Sequence, residues 1–99
     1  MRKYTKEHLW IEDGRIGITA KGDELMGGIT FIEVLPLYIS VEGRKSVVEI
    51  PVESTTEICS DTDGSWPGED RPIAYLSGDG EWIGETLSEE EYAKYCADL

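Results

Sequence analysis

The chain breaks its apolar residues into short runs, and a turn-forming pair or triplet follows most of them. Asp13-Gly14, Gly27-Gly28, Glu42-Gly43 and Gly78-Asp79-Gly80 punctuate the sequence from one end to the other. Spacing of this kind suits short antiparallel strands, and it leaves room for a regular helix only near the C-terminus. Asp13-Gly14 is the strongest signal, because a two-residue hairpin turn needs left-handed backbone at both central positions, which Asp and Gly tolerate. Tyr4 to Glu12 therefore reads as one strand and Arg15 to Thr19 as its partner, with Ile16 and Ile18 on one face.

Beyond this hairpin, Asp23-Glu24-Leu25-Met26 followed by glycine predicts a single helical turn near 21–26. Ile29 to Leu35 reads as a strand, Ile29, Phe31 and Glu33 alternating against Thr30, Ile32 and Val34, and Pro36 interrupts it. Tyr38 to Val41 is a short extended piece before Glu42-Gly43, read as a turn. Ser46 to Ile50 is a further strand, which Pro51 confines to an edge or an end because proline lacks the ladder N–H. Val52 to Cys59 divides evenly between strand and loop. Ser60 to Arg71 is a loop rich in turn formers, in which Trp66 either packs back on the core or stands exposed. Pro72 to Ser77 and Glu81 to Glu85 are the last two strands.

The tail has a different pattern. Ser88 followed by Glu91 is a capping box. Tyr92, Tyr95, Cys96 and Leu99 fall on one helical face, and Leu87 stands where a hydrophobic staple begins. Glu89, Glu90 and Glu91 favour the positive end of the helix dipole. A C-terminal helix near 88–98 follows. The fold class is mainly β: a single domain over 1–99, with seven or eight short strands in a small sandwich or barrel.

Charge and composition limit the function. Nine Lys and Arg against 21 Asp and Glu give a net charge of −12, which nucleic-acid backbones repel. The acidity reads first as a solvated surface, and second as a face for a basic partner. No apolar run suits a membrane span, and no apolar segment follows the basic N-terminus as a signal peptide requires, so a cytoplasmic protein is expected. Cys59 and Cys96 show no CxxC spacing and are expected as free thiols. His8 is the only histidine, so neither a metal site nor a Cys-His nucleophile is expected. Glu49 with Glu53 and Asp61 with Asp63 read as solvated charges rather than acid–base pairs, and Asp61, Asp63 and Asp70 lack the spacing of a calcium loop. The chain is not expected to be an enzyme.

Several blocks, in order, resemble the H protein of the glycine cleavage system, the lipoyl-carrier family. Tyr4-Thr5-Lys6-Glu7-His8-Leu9-Trp10 resembles the family's Tyr-Thr-x-x-His-x-Trp opening, and Gly17-Ile18-Thr19 its Gly-Ile-Thr strand. Asp23 to Pro36 resembles the block that ends in Val-x-Leu-Pro. Gly80-Glu81-Trp82-Ile83 resembles the Gly-Trp block, and Leu87 to Tyr92 the terminal helix. The resemblance implies a barrel-sandwich hybrid: two small antiparallel sheets packed face to face, a short early helix and a C-terminal helix.

In that family one lysine at a hairpin tip, just past Val-Glu-Ser, carries lipoic acid as an amide. Val48-Glu49-Ile50-Pro51 places its counterpart near Val52 or Glu53. A second Val-Glu-Ser at 52–54 would move it to Thr55, Thr56 or Glu57. No lysine occurs between Lys45 and Lys94, so neither register supplies the amine. Lys45 is the nearest substitute, beside Arg44 at the start of the Val-Val-Glu strand. The segment before the Gly-Trp block is also shortened, to Gly68-Glu69-Asp70-Arg71-Pro72. The resemblance thus implies a degenerate, unlipoylated module without a cofactor. Such a module would bind a protein partner, for instance a lipoate-handling or glycine-cleavage enzyme, through Tyr4, His8, Trp10, Glu89, Glu90 and Glu91. The alternative is a working carrier that uses Lys45. The oligomeric expectation is a monomer or weak dimer.

Overall fold

The computed structural model describes residues 2–62 and 64–99. In chain order its elements are β1 (Lys3–Tyr4), β2 (Leu9–Glu12), β3 (Arg15–Ile18), α1 (Ala20–Leu25), β4 (Ile29–Val34), β5 (Tyr38–Gly43), β6 (Val47–Pro51), β7 (Ile58–Ser60), β8 (Ala74–Leu76) and α2 (Glu89–Ala97). They form two antiparallel sheets, one ordered β1-β2-β3-β8-β7 and the other β4-β5-β6. Leu9, Ile11, Ile16 and Ile18 from the first sheet meet Ile32, Ile39, Val41 and Ile50 from the second in one buried cluster. This is the expected mainly β architecture, consistent with a barrel-sandwich hybrid.

Local chemistry explains most boundaries. Glu12 pairs with Arg15, so Asp13-Gly14 forms the whole turn, and φ values of 50° and 77° give it the left-handed pair a hairpin needs. Thr19 caps α1 by accepting from the Gly22 N–H at 3.2 Å. The helix ends at Gly27-Gly28: Gly28 N donates to Asp23 O at 2.9 Å and Gly27 N to Glu24 O at 3.1 Å. Pro51 closes β6, which is an edge strand. In α2 both halves of the capping box form, Glu91 N to Ser88 Oγ at 3.1 Å and Ser88 N to Glu91 Oε1 at 2.9 Å. Trp66 packs half-buried against the core.

Five expectations are corrected. Tyr4 to Glu12 is not one strand but two, folded back so that Tyr4 pairs with Trp10. The chain reverses between Thr5 and Leu9, where His8 adopts a φ of 70° and its N–H donates to Thr5 O at 3.1 Å. Alternation along β4 fails at a bulge: Ile29 pairs with Gly43 but Phe31 with Glu42. The extra residue puts Ile29 against the core with Ile32 and Val34, while Phe31 is 44% exposed. Glu42-Gly43 belongs to β5, and the turn is Arg44-Lys45, closed by Gly43 N to Ser46 O at 2.8 Å.

The segment from Glu81 to Glu85 is not a strand. It makes a single bridge, Ser54 with Trp82, because Ile83 N and Gly84 N both spend their bonds on the one carbonyl of Glu53 and build no ladder. Finally, α2 ends at Ala97, so Leu99 lies beyond the helix and is 58% exposed.

Candidate functional site: the carrier position and the face under the terminal helix

Val52 and Glu53 follow the edge strand β6 and leave the sheet. They form one wall of an open groove of about 570 Å³, with Thr5, Lys6 and Glu7 opposite and Trp82 to Glu85 alongside. Val52 N donates to Leu37 O at 2.9 Å, which fixes where the chain departs from β6. Glu53 is held by its carbonyl, which accepts from Ile83 N at 2.7 Å and Gly84 N at 3.2 Å. In the alternative register, Thr55 to Glu57 make a tight bend. Ser54 Oγ donates to Thr56 O, and Thr55 is pinned to Glu81 by two bonds of 3.0 Å and 2.8 Å. Thr56 turns its hydroxyl inward against Gly80. Neither register offers an amine.

Lys45 stands elsewhere, in the two-residue turn between β5 and β6. Its N–H donates to Met26 O at 3.0 Å, and that of Arg44 to Gly28 O at 3.1 Å, so the turn is tied to the end of α1. The Lys45 stem lies close over Gly27, where a Cβ would collide with it.

Of the N-terminal residues, the structure gathers Tyr4 and His8 around α2. Tyr4 stacks on Tyr92 with ring centroids 4.6 Å apart. The Tyr92 hydroxyl lies 2.6 Å from Thr19 Oγ1 and 2.7 Å from His8 Nδ1. Thr19 Oγ1 also accepts from the Gly22 N–H, so the Tyr92 hydroxyl joins the cap of α1 to the His8 ring in one hydrogen-bonded relay. Burial lowers the pKa of His8, nearby Lys21 adds to this, and Glu7 opposes it. Burial likewise raises the phenol pKa of Tyr4, with Glu89 the next cause. Burial also strongly raises the phenol pKa of Tyr92, against the bond from Thr19.

Trp10, the cross-strand partner of Tyr4, shares its face of the sheet. It is 2% exposed on the outer side of β2, fits over Gly17 and donates from Nε1 to Glu69 O at 2.6 Å. The Arg2 guanidinium covers its ring at 4.0 Å and reaches Glu12 at 3.3 Å. Glu89 and Glu90 are exposed in the first turn of α2, while the Glu91 carboxylate accepts the Ser88 N–H, which lowers its pKa. Cys59 and Cys96 are both free thiols. Among the described residues no cluster of His, Cys, Asp and Glu has the arrangement of a metal site. Of the acidic loop residues considered for calcium, Asp61 lies 3.7 Å from Arg15 and Asp70 3.8 Å from Arg2, and Asp63 lies outside the described residues. Among the described residues no helix is long and apolar enough to cross a membrane.

Against curated proteins, the chain is 29% identical over 116 residues to the glycine cleavage system H protein of Koribacter versatilis (strain Ellin345). The alignment takes in 97% of this chain and 91% of that protein. The chain is thus distantly similar to a glycine cleavage system H protein over nearly its whole length. No family model matches the sequence, and no solved structure matches it. The H-protein alignment is longer than the chain itself, so the relative carries residues with no counterpart here.

Two features of this face escape a reading by pattern. Tyr92 is legible as a buried helix position, but nothing in the sequence marks it as the hydrogen-bond partner of His8 and Thr19. The groove is built from three segments far apart in the chain. Its only local trace is Ile83, an apolar residue left 65% exposed beside Trp82.

Proposed function

We propose that this chain is an H-protein-like, unlipoylated protein-binding module of the cytoplasm rather than a group carrier or an enzyme. The observation that carries this reading is the lack of any lysine between Lys45 and Lys94. A carboxylate side chain stands at Glu53, where the resemblance calls for an amine. Valine cannot form the amide, and glutamate brings the wrong functional group. The docking face would be the patch around α2, with Tyr4 and His8 beneath it, Glu89, Glu90 and Glu91 at its rim, and Trp10 buried beside Tyr4. A lipoate-handling or glycine-cleavage enzyme is the partner class that the homology favours. No nucleic acid or membrane takes part, and the protein acts as a monomer or weak dimer.

One observation favours a second reading. Lys45 sits in a two-residue hairpin turn, the kind of setting that presents a lysine to a modifying enzyme. Against this, the turn is bound to α1 and the lysine stem lies along Gly27. Co-expression with a lipoate ligase and free lipoate, with an authentic H protein as positive control, separates the two readings by intact mass. An unchanged mass while the control shifts supports the unlipoylated module. A lipoyl-sized increase that disappears in Lys45→Arg overturns it in favour of a carrier with a relocated arm.

A further inference from the structure

The groove at Val52 and Glu53 has a chemical character of its own. Three exposed carboxylates line it, Glu7, Glu53 and Glu85, against one cation, Lys6. None of the three forms an ion pair among the described residues; the ion pairs of the molecule are Arg2 with Glu12 and Asp70, Arg15 with Asp61, and Lys21 with Glu24. Apolar side chains, Trp82 and Ile83 among them, also line the groove. Trp82 is half-buried, its Nε1 has no acceptor among the described residues, and Ile83 is 65% exposed. The Glu53 side chain lies against Gly84, where a Cβ would strike it, and the Glu53 carbonyl accepts from two N–H groups.

A concave site lined by one sign of charge focuses the field and raises the local concentration of the opposite charge, and the chain's net charge of −12 reinforces it. Carboxylates at the rim with an indole and an isoleucine in the walls match one class of group: a long aliphatic stem that ends in a cation. Lysine and arginine side chains bury their methylenes along apolar surface and leave the charged head at the edge, and an indole face adds a cation–π attraction.

From this we infer that the groove receives a lysine or arginine side chain from a basic segment of the partner protein. The inference rests on the reading of the chain as a binding module and names the chemistry of what it binds. Position 53, which under the resemblance would present an amine, presents an acceptor for one instead. Complementary charge of this kind sets partner choice and encounter rate more than raw affinity.

The test uses the whole chain labelled with nitrogen-15 and a lysine pentapeptide as probe. Saturable shifts are expected at the Trp82 indole N–H and the Gly84 amide, weakening as salt is added. The pair Glu53→Gln and Glu85→Gln is expected to weaken binding about tenfold, which corresponds to two partly screened charge contacts. Glu33→Gln with Asp79→Asn removes two exposed carboxylates that do not line the groove and is expected to leave the affinity within about twofold, as for solvated surface charges. The same pentapeptide with every ε-amine acetylated is expected to bind at least about tenfold more weakly.

Shifts absent at about 10 mM peptide, equal losses in the two double variants, or equal binding of the acetylated peptide would each overturn the inference. Retention of the native amide spectrum in each variant separates lost binding from lost folding. The lipoylation assay reports independently: an unmodified protein whose groove ignores the peptide loses this inference and keeps the proposed module.

Discussion

Removing one oxygen atom, in Tyr92→Phe, tests how α2 is held. Tyr92 is 8% exposed and its ring stacks on Tyr4, so phenylalanine keeps the apolar contact and the helix sequence around it. The substitution deletes the centre of a relay. Thr19 Oγ1, on a residue only 1% exposed, loses its partner at 2.6 Å, and His8 Nδ1 loses its own at 2.7 Å. A typical buried hydrogen bond contributes about 1 kcal/mol, and an orphaned buried group costs more than its share, so a loss of about 2 kcal/mol is expected. For a domain of this size that lowers the melting temperature by about 10 °C. Thermal unfolding at pH 7.5 followed by circular dichroism measures it, with Tyr95→Phe as reference. Tyr95 lies on the same helix face and touches the His8 ring at 6.0 Å, but no hydrogen bond joins it to that ring. If Tyr92→Phe melts within about 2 °C of Tyr95→Phe, the hydroxyl relay does not hold the helix and the reasoning fails.

Two further predictions follow from the same packing. The pKa of His8 is lowered in the folded state, so the stability it supplies is present above its ordinary value near 6.5 and is lost as pH falls through the lower, folded value. The urea midpoint is therefore expected to decline through that window in the parent. It should decline less steeply in His8→Asn, which tolerates the positive φ; equal slopes would remove His8 as the cause. Gly17→Ala places a methyl group in the Trp10 indole across the strand pair and is expected to cost about 2 kcal/mol or more by chemical denaturation, whereas an unchanged midpoint would show that the indole moves freely aside.

The parts of this fold that are legible in sequence are those decided by two or three adjacent residues. Asp13-Gly14 fixes a turn because the backbone angles it needs are available to those residues, and Ser88 with Glu91 fixes a helix start because the cap atoms are close in sequence. The parts that stay hidden are decided by distant partners. His8 accepts a left-handed conformation to let β1 fold onto β2, which no pattern in Tyr4 to Glu12 announces. Thr30 becomes a bulge because Gly43 and Glu42 set the register opposite. Glu81 to Glu85 has the composition of a strand but meets a stretch that offers one carbonyl instead of a ladder. Of the candidate docking residues, Tyr4 and His8 come together with α2 because the helix brings Tyr92 to them, while Trp10, beside Tyr4 on the same face, is closed over by Arg2 and Glu69.

The joining of the two ends has a consequence for how the molecule is made. His8 and Tyr92 are 84 residues apart, and Tyr4 exchanges backbone hydrogen bonds with Leu87 at 2.8 Å and 2.6 Å. During synthesis the first hairpin emerges long before the segment that closes its edge. Closing so long a loop adds little entropy cost beyond that of a shorter one, so docking of α2 is late in time but not weak. Until it docks, the relay at Thr19 and His8 is incomplete. A nascent or truncated chain that stops before Leu87 therefore exposes an open strand edge and unsatisfied polar groups, and proteases can distinguish it from the folded domain.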